Sequence, residues 1–218
     1  TTSTIEDSTS NNNDGTKKGA NEPIQADGKI AKAQSFDGDD WIDVNSVSIY
    51  QQFTIEAWVK VGLNQEGVIY GADGSIALNA KYNNHFTSQT KAGSVCGGAW
   101  NSLLESTTTA SADVWYKVAI TRDSKYRYSI WVNGVEENYK TESGTIPSCS
   151  YGRWLGVAQN YAGTKYGYLS GTLDEVRISD TARSAAWIKA SYNSENNSLV
   201  SYGNEEGIDN AVFFGCNF

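Results

Sequence analysis

One run of residues in this chain has types and spacing that suit cation binding. It is Asp7–Gly15, in which nearly every side chain carries an oxygen atom and which ends in an Asp-Gly turn signal. A separate acidic feature is the adjacent pair Asp174 and Glu175. Carboxylates, amides and backbone carbonyls are the ligands that calcium prefers. On composition alone, residues 1–22 equally fit a disordered leader, because they contain almost no apolar side chains.

The acidic residues do not form a recognisable catalytic pair. Retaining glycoside hydrolysis needs two carboxyl groups roughly 5 to 5.5 Å apart. Glu56 stands alone on its predicted strand, and Asp174 and Glu175 are adjacent, so they point to opposite sides unless a bulge intervenes. His85, the single histidine, has no convincing Ser or Cys partner in the sequence. We therefore expect a protein that is not an enzyme.

The composition restricts the possible partners. The chain has 218 residues and a net charge of −8 at pH 7, so it has no basic field to attract phosphates and we expect no nucleic-acid partner. No apolar run approaches the roughly 20 residues that span a bilayer, so we expect no membrane insertion. The chain contains no Met, and we interpret it as a mature or excised segment of a longer protein.

Three cysteines, Cys96, Cys149 and Cys216, match no metal-binding spacing. One disulfide and one free thiol is the natural count. We predict a Cys96–Cys149 disulfide, because both residues lie in Gly- and Ser-rich loop sequence, and it would stabilise the fold by about 4 kcal/mol. The alternative is three buried free thiols in a cytosolic protein, and the partner of Cys216 stays open.

The elements that position these residues are predicted to be short strands. Segment 53–61 alternates cleanly, and Trp58 on its polar side implies that this second face is also partly covered or is a surface for stacking. Segments 28–36 and 41–44 are predicted to form a hairpin around the turn 37–40. Further strands are predicted at 68–70, 75–79, 115–122, 126–132, 135–139, 154–157 and 199–202.

Segment 168–180 is the strand around which we expect the other elements to be arranged. Its alternation slips by one step between Leu173 and Val176, which predicts a bulge that aims Asp174 away from the regular face. A short helix is predicted near residues 181–192, capped by Asp180 or Ser184. About a dozen strands and one small helix predict an all-β, two-sheet antiparallel sandwich.

Six motifs, taken in order and spacing, resemble the laminin-G-like branch of the concanavalin A-like jelly rolls. They are Phe36-Asp-Gly38, Ile42-Asp-Val44, segment 53–59, segment 115–120, Ile130-Trp-Val-Asn-Gly134 and Gly171-Thr-Leu-Asp-Glu-Val-Arg-Ile178. The resemblance covers about residues 7–205, and it implies one jelly-roll domain over residues 1–205. It also implies an oxidising compartment, so we expect an extracellular or cell-surface protein. The family includes lectins, carbohydrate-binding modules, adhesion domains and glycosidases, so it specifies fold more than function.

The resemblance also implies one structural calcium ion that joins the amino-terminal loop to the strand of Asp174. The ligands would be the carboxylates of Asp7 and Asp174 and backbone carbonyls at Asn12 and near Gly38, at about 2.3 to 2.6 Å from the ion. The glucanases of this fold carry two carboxylates two residues apart on one strand, and this chain lacks that pattern.

Two functions follow as expectations. The first is a lectin-like domain that binds a glycan or cell-surface polysaccharide, with aromatic rings stacking on sugars and amides binding hydroxyls. Its candidate residues lie in loop-like sequence: Tyr82, Asn84, His85, Trp100, Tyr161 and Tyr166. The second is an adhesion or filament-forming domain that assembles with neighbouring copies or other domains by strand exchange.

The tail 206–218 is the sequence feature behind the second expectation. Family members usually have a full strand before the loop at Asp7, whereas only residues 1–6 precede it here. The segment Ala211-Val-Phe-Phe214 has the β-branched and aromatic character to fill that edge, within its own chain or in a neighbour. The alternative is a frayed terminus.

Overall fold

The computed structural model describes residues 3–19, 22–48, 50–62, 67–72, 75–82, 84–93, 95–96, 102–149, 151–160 and 162–197, without the side chains of residues 81, 82 and 102. These residues form seventeen strands and one helix. In chain order the elements are β1 (Thr4–Ile5), β2 (Gly15–Lys18), β3 (Ile24–Asp27), β4 (Lys32–Asp37), β5 (Trp41–Asp43), β6 (Phe53–Val61), β7 (Gly67–Ala72), β8 (Ile76–Tyr82), β9 (His85–Thr90), β10 (Ser102–Thr109), β11 (Trp115–Arg122), β12 (Arg127–Val132), β13 (Val135–Thr141), β14 (Arg153–Leu155), β15 (Ala158–Gln159), β16 (Lys165–Tyr166), β17 (Ser170–Ser179) and α1 (Ala185–Glu195).

Two large antiparallel sheets face each other across the main core. Sheet A has the order β1-β2-β5-β14-β7-β8-β9-β10, and sheet B has the order β13-β12-β11-β6-β17-β4-β3. Alternate residues of β6, from Phe53 to Val61, point inward and are buried against apolar side chains of sheet A such as Leu78 and Phe86. The predicted jelly-roll sandwich is therefore confirmed.

The predicted bulge on the central strand is present. The pairing of β17 with β6 shifts register between Asp174 and Arg177, and Glu175 has a φ of 48°. The extra residue lets Leu173 reach the core while the Asp174 side chain is buried on the opposite face.

The outer face of sheet B is covered by α1, as the position of Trp58 predicted. Trp58 is 1% exposed, its ring centroid lies 5.7 Å from that of Tyr192, and its Nε1 donates to Glu195. Ile188 packs on Ala119 and Trp131. Ser184 caps the helix by accepting a hydrogen bond from the N–H of Trp187, so the helix begins at residue 185 and ends at 195, three or four residues later than predicted.

Two local predictions are wrong. Segments 28–36 and 41–44 do not form a hairpin: β4 pairs with β3 and β17 in sheet B, whereas β5 pairs with β2 and β14 in sheet A, so the turn at 37–40 carries the chain between sheets. The disordered-leader alternative also fails, because β1 and β2 pair with each other around residues 6–14.

The predicted disulfide is present: Cys96 and Cys149 are bonded. The described part of the chain contains no helix long and apolar enough to cross a membrane. The segment 199–202, the tail 206–218 and Cys216 lie outside the described residues.

Candidate functional site

The short hairpin of β15 and β16 lies on the outer face of sheet A. Gly71 on β7 permits this contact, because a Cβ there would lie 2.7 Å from the carbonyl oxygen of Val157. The N–H of Val68 donates to the carbonyl of Gly167 at 2.8 Å and holds the returning strand. At the tip, Asn160 Oδ1 accepts from the N–H groups of Ala162 and Thr164, both at 3.0 Å, and shapes the turn.

Under this hairpin, sheet A presents two tryptophans. Trp41 on β5 and Trp154 on β14 point outward, because their neighbours Ile42 and Leu155 belong to the core. Lys165 on β16 places its Nζ 5.0 Å from the Trp41 ring centroid and 4.4 Å from that of Trp154. Cations over indole faces are attracted by the ring quadrupole, so Lys165 fastens the hairpin to the sheet.

Hydrogen bonds also fix the side chains of Lys165 and Trp41. Nζ of Lys165 donates to Gln159 Oε1 at 3.0 Å, and Nε1 of Trp41 donates to Asp43 Oδ1 at 3.0 Å. Tyr168 packs edge-on against Trp41 at 6.1 Å between ring centroids. Partial burial lowers the pKa of Lys165, while the Asp43 carboxylate acts in the opposite direction.

We call the exposed part of this region the hairpin surface. Its residues are Trp41, Gln159, Lys165, Tyr166 and Tyr168. Tyr166 is 41% exposed, whereas Trp154 is only 3% exposed and is therefore a buried support. Lys165 points toward the two tryptophans of the sheet, so its neighbour Tyr166 points to the opposite side of the hairpin. An exposed aromatic ring of this kind can stack on the apolar face of a sugar.

The β8–β9 turn carries three of the predicted ligand residues. Tyr82 pairs with His85 across the turn, and Asn84, with a φ of 68°, is exposed at its tip. His85 is not a loop residue as predicted, since it begins β9. Its Nδ1 is buried and has no hydrogen-bond partner among the described residues.

The turn and the hairpin surface lie at the same end of sheet A. Val68 at the start of β7 contacts Gly167 and also pairs with Asn79, three residues before the end of β8. Of the six predicted ligand residues, the structure therefore brings Tyr166, Asn84, His85 and the backbone of Tyr82 to one end of one sheet. Trp100, Tyr161 and the side chain of Tyr82 lie outside the described residues.

The predicted calcium ligands are not brought together as a set. Asp37 on β4 lies opposite Ser170, the first residue of β17, and Gly38 follows Asp37 past this end of β17. Asp174 lies four residues after Ser170, toward the other end of β17. At about 3.4 Å per residue the separation is at least about 14 Å. Two ligands of one calcium ion lie no more than about 5 Å apart. Gly38 and Asp174 therefore cannot share an ion.

The carboxylates of Asp174 and Asp7 each have structural partners. Asp174 Oδ2 accepts from the N–H of Ile30 and Oδ1 from the N–H of Glu175, both at 2.8 Å. Asp174 thus anchors the turn between β3 and β4, where a Cβ on Gly28 would lie 2.4 Å from the carboxylate.

Asp7 closes its own loop by accepting from the N–H groups of Thr9 and Asn13, each at 2.9 Å. These hydrogen bonds, that from Asn13 foremost, lower the pKa of Asp7. Asn12 is exposed in the same loop with a φ of 53°. In the described part of the chain, no three His, Cys, Asp or Glu side chains are arranged to share a metal ion. Gly38 therefore cannot share an ion with Asp174, whereas Asp7 and Asp174 line the same cavity. Calcium binding by the Asp7 loop stays a prediction.

The acidic residues of β6 and α1 form a structural network. Lys117 Nζ lies 3.3 Å from Glu56 and 2.5 Å from Glu195, and Arg177 lies 3.2 Å from Glu56. Burial alone would raise the pKa of Glu195, but hydrogen bonds from Lys117 and Arg177 lower it. These contacts tie α1 to sheet B and give the carboxylates a packing role.

Among the described carboxyl groups, that of Asp40 has the pKa that is raised furthest. It is 1% exposed and its Oδ1 has no hydrogen-bond partner in the described residues. Burial, aided by the nearby charge of Asp37, raises the pKa of Asp40 to about 6.

Sequence reasoning missed Trp41, Lys165 and Tyr168. Segment 41–44 is predicted only as a strand, yet its alternation places Trp41 and Asp43 on the face opposite Ile42, which is a usable signal. Nothing in the sequence indicated that Lys165 would lie over two tryptophans from different strands.

Comparison with known proteins gives one family match. A family model described as Laminin_G_3, concanavalin A-like lectin/glucanases superfamily, matches residues 36–189. Comparison with the curated proteins finds no match.

Solved structures of similar fold include a domain crystallised with a sugar. The fourth domain of an extracellular arabinanase from Geobacillus stearothermophilus, in complex with arabinotriose, is 20% identical with a TM-score of 0.56, covering 80% of this chain and 86% of that one. A putative carbohydrate-binding protein from Bacteroides ovatus is 23% identical with a TM-score of 0.52, covering 65% of this chain and 41% of that one.

A third similar structure is the binding domain of Paraclostridial Mosquitocidal Protein 1. It is 16% identical with a TM-score of 0.66, covering 87% of this chain and 49% of that one. The chain thus spans about half the length of that toxin domain. At these identities the three likenesses show the fold.

Proposed function

Because this chain belongs to the Laminin_G_3 family of the concanavalin A-like lectin/glucanases superfamily, we propose that it is a non-catalytic carbohydrate-binding domain. The observation that carries the proposal is the hairpin surface, on which Tyr166 exposes its aromatic ring. One structure of similar fold was determined in complex with arabinotriose, and another is a putative carbohydrate-binding protein. Both support a carbohydrate as the ligand.

The proposed contacts follow from the chemistry of the surface. The ring of Tyr166 stacks on the apolar face of a pyranose or furanose. Asn84, exposed at the tip of the β8–β9 turn, supplies an amide group for hydroxyls.

We expect weak binding at a single site. One stacked ring and a few exposed hydrogen bonds bury little area, so affinity in the parent protein would come from repeated domains or repeated glycans. The non-catalytic part of the proposal is supported by the structural contacts of Glu56, Asp174 and Glu195, which already bind basic side chains or backbone N–H groups.

We place the domain outside the cell or on its surface. The Cys96–Cys149 disulfide supports this location, since such bonds persist in oxidising compartments. We retain structural calcium as part of the proposal at the Asp7–Gly15 loop. Asp174 lines the same cavity as this loop, whereas Gly38 lies too far from Asp174 to share its ion.

A glycan array probed with the purified chain tests the proposal. Wild-type protein should bind a subset of polysaccharides, and Tyr166→Ala should reduce that binding at least about fivefold, the loss of roughly 1 kcal/mol of aromatic contact. The matched control is Tyr139→Ala, which removes a comparably exposed tyrosine, 54% against 41%, from β13 of sheet B.

Two outcomes would contradict the proposal. Equal losses in the two variants would remove the hairpin surface as the site. Release of reducing sugar from a bound polysaccharide by the wild-type chain would overturn the non-catalytic reading.

A further inference from the structure

The strand that carries Tyr166 belongs to a very short hairpin. β15 and β16 are each two residues long. Ala158 lies opposite Tyr166 in this pair of strands, and the next pair is Gln159 with Lys165. An isolated two-stranded hairpin is marginally stable at best in water. The position of Tyr166 therefore depends on the side chains that hold the hairpin to sheet A.

The two strands of the hairpin are held to sheet A in different ways. Residues opposite each other in antiparallel strands point to the same side, so Gln159 and Lys165 share one side and Ala158 lies on the other. Ala158 is 4% exposed, and a Cβ on Gly71 of β7 would lie 3.1 Å from its Cβ. β15 is thus packed directly on the sheet, whereas β16 is fastened through the side chain of Lys165.

The fastening of β16 uses the charge of Lys165. Its Nζ lies 5.0 Å from the ring centroid of Trp41 and 4.4 Å from that of Trp154, both within the range of a cation–π interaction. Trp154 is 3% exposed, and its strand β14 lies between β5 and β7 inside sheet A, so its ring is a fixed support. A neutral side chain of similar length could pack on these rings but would lose the attraction to their faces.

We infer that Lys165 is a positioning residue for sugar binding, which fixes the Tyr166 ring by holding β16 against Trp41 and Trp154. This inference rests on the proposed function of the hairpin surface. Because Lys165 faces the tryptophans and Tyr166 faces away from them, Lys165 acts through Tyr166 and does not contact the sugar. A ring that is already held in place loses less conformational freedom on binding, so the clamp raises affinity by preorganisation.

NMR relaxation of the backbone amides in the free protein is the first test. In the wild type, residues 164–166 should have order parameters near about 0.85, as in rigid backbone, and in Lys165→Met these should fall below about 0.6. Lys165→Arg keeps the cation and should stay rigid. Lys60→Met is the matched control, because it removes a cation that lies 5.3 Å from the Trp115 ring centroid on sheet B. Its residues 164–166 should match the wild type.

Titration calorimetry with the polysaccharide that binds the wild type most tightly on the array is the second test. Lys165→Met should weaken binding roughly fivefold, the weight of one cation–π contact. Lys165→Arg should restore most of the affinity, and Lys60→Met should bind as the wild type does. Because Lys165 acts through Tyr166, adding Lys165→Met to Tyr166→Ala should weaken binding no further.

Three results would overturn the inference. Rigid residues 164–166 in Lys165→Met would show that Lys165 does not hold β16. A further loss of affinity when Lys165→Met is added to Tyr166→Ala would show that Lys165 contacts the sugar itself. A flexible β16 with undiminished affinity would show that its position does not matter for binding.

Failure of the proposed function gives a different pattern. The wild type would then bind no polysaccharide, or Tyr166→Ala would bind as tightly as the wild type. The sugar-binding part of the inference would fall with it. Relaxation of the free protein would still report whether Lys165 holds β16, since that measurement needs no ligand.

Discussion

Asp174→Ala is the substitution with the clearest expected effect on stability. The wild-type carboxylate is 6% exposed and accepts hydrogen bonds from the N–H groups of Ile30 and Glu175. The alanine removes both acceptors, so it frees the β3–β4 turn and leaves two N–H groups without partners. It also removes the bond that holds Glu175 at a φ of 48°.

The size of the effect follows from these contacts. A hydrogen bond to a charged group contributes about 1.5 to 3 kcal/mol. The bond to Ile30 joins distant parts of the chain, while the bond to Glu175 is local and contributes less, so we expect a loss of about 3 kcal/mol. For a chain of this length, that lowers Tm by roughly 6 to 12 °C.

Thermal unfolding followed by circular dichroism measures this loss, with Asp27→Ala as the control. Asp27 lies on the same hairpin but is exposed, and its pair with Lys32 is a surface salt bridge that solvent screens, so it contributes little to stability. Asp174→Asn, which keeps one acceptor, should give an intermediate Tm. Equal melting temperatures for Asp174→Ala and Asp27→Ala would refute the anchoring role of Asp174.

Three further predictions concern the fold. Because the pKa of Asp40 is raised to about 6, the folded state holds a proton that the unfolded state releases, so the stability contributed by Asp40 falls as pH rises from about 4 to about 6. Asp40→Asn should therefore raise Tm by a few degrees at pH 7.5 and much less at pH 4. Equal Tm shifts at the two pH values would contradict this. If the Asp7–Gly15 loop binds calcium, a chelator should lower the Tm of the wild type and leave that of Asp7→Ala unchanged; identical wild-type melting curves with and without chelator would count against the ion. Alkylation of native protein without reductant should label one of the three cysteines, Cys216. Reduction should lower Tm by roughly 10 °C through loss of the Cys96–Cys149 bond. Three labelled cysteines in native material would contradict the disulfide.

The strands with clean alternation were predictable from the sequence. The strand Phe53–Val61 has the predicted bounds, and the slip between Leu173 and Val176 correctly indicated a bulge, because both signals depend on which side chains reach the core. The buried Trp58 indicated the cover that α1 provides. Such features are local consequences of burial.

Other features depend on contacts between distant segments. Strands β9 and β10 are rich in Ser and Thr, so they lack an apolar alternation, and their pairing with β8 decides their conformation. The chain crossing at 37–40 resembles a hairpin turn in sequence, because a turn motif does not specify the sheet that receives the next strand. The hairpin surface combines β5, β14 and β16, and its assembly depends on sheet order.

The location of glycan binding is tested most directly by amide chemical-shift mapping with the oligosaccharide that the array identifies. Carbohydrate binding at the hairpin surface predicts saturable shifts at Gln159, Lys165 and Tyr166, with smaller shifts at Asn84 and His85. Residues 135–141 of sheet B should not shift. Saturable shifts confined to sheet B, or no shifts at concentrations that saturate the array, would contradict it.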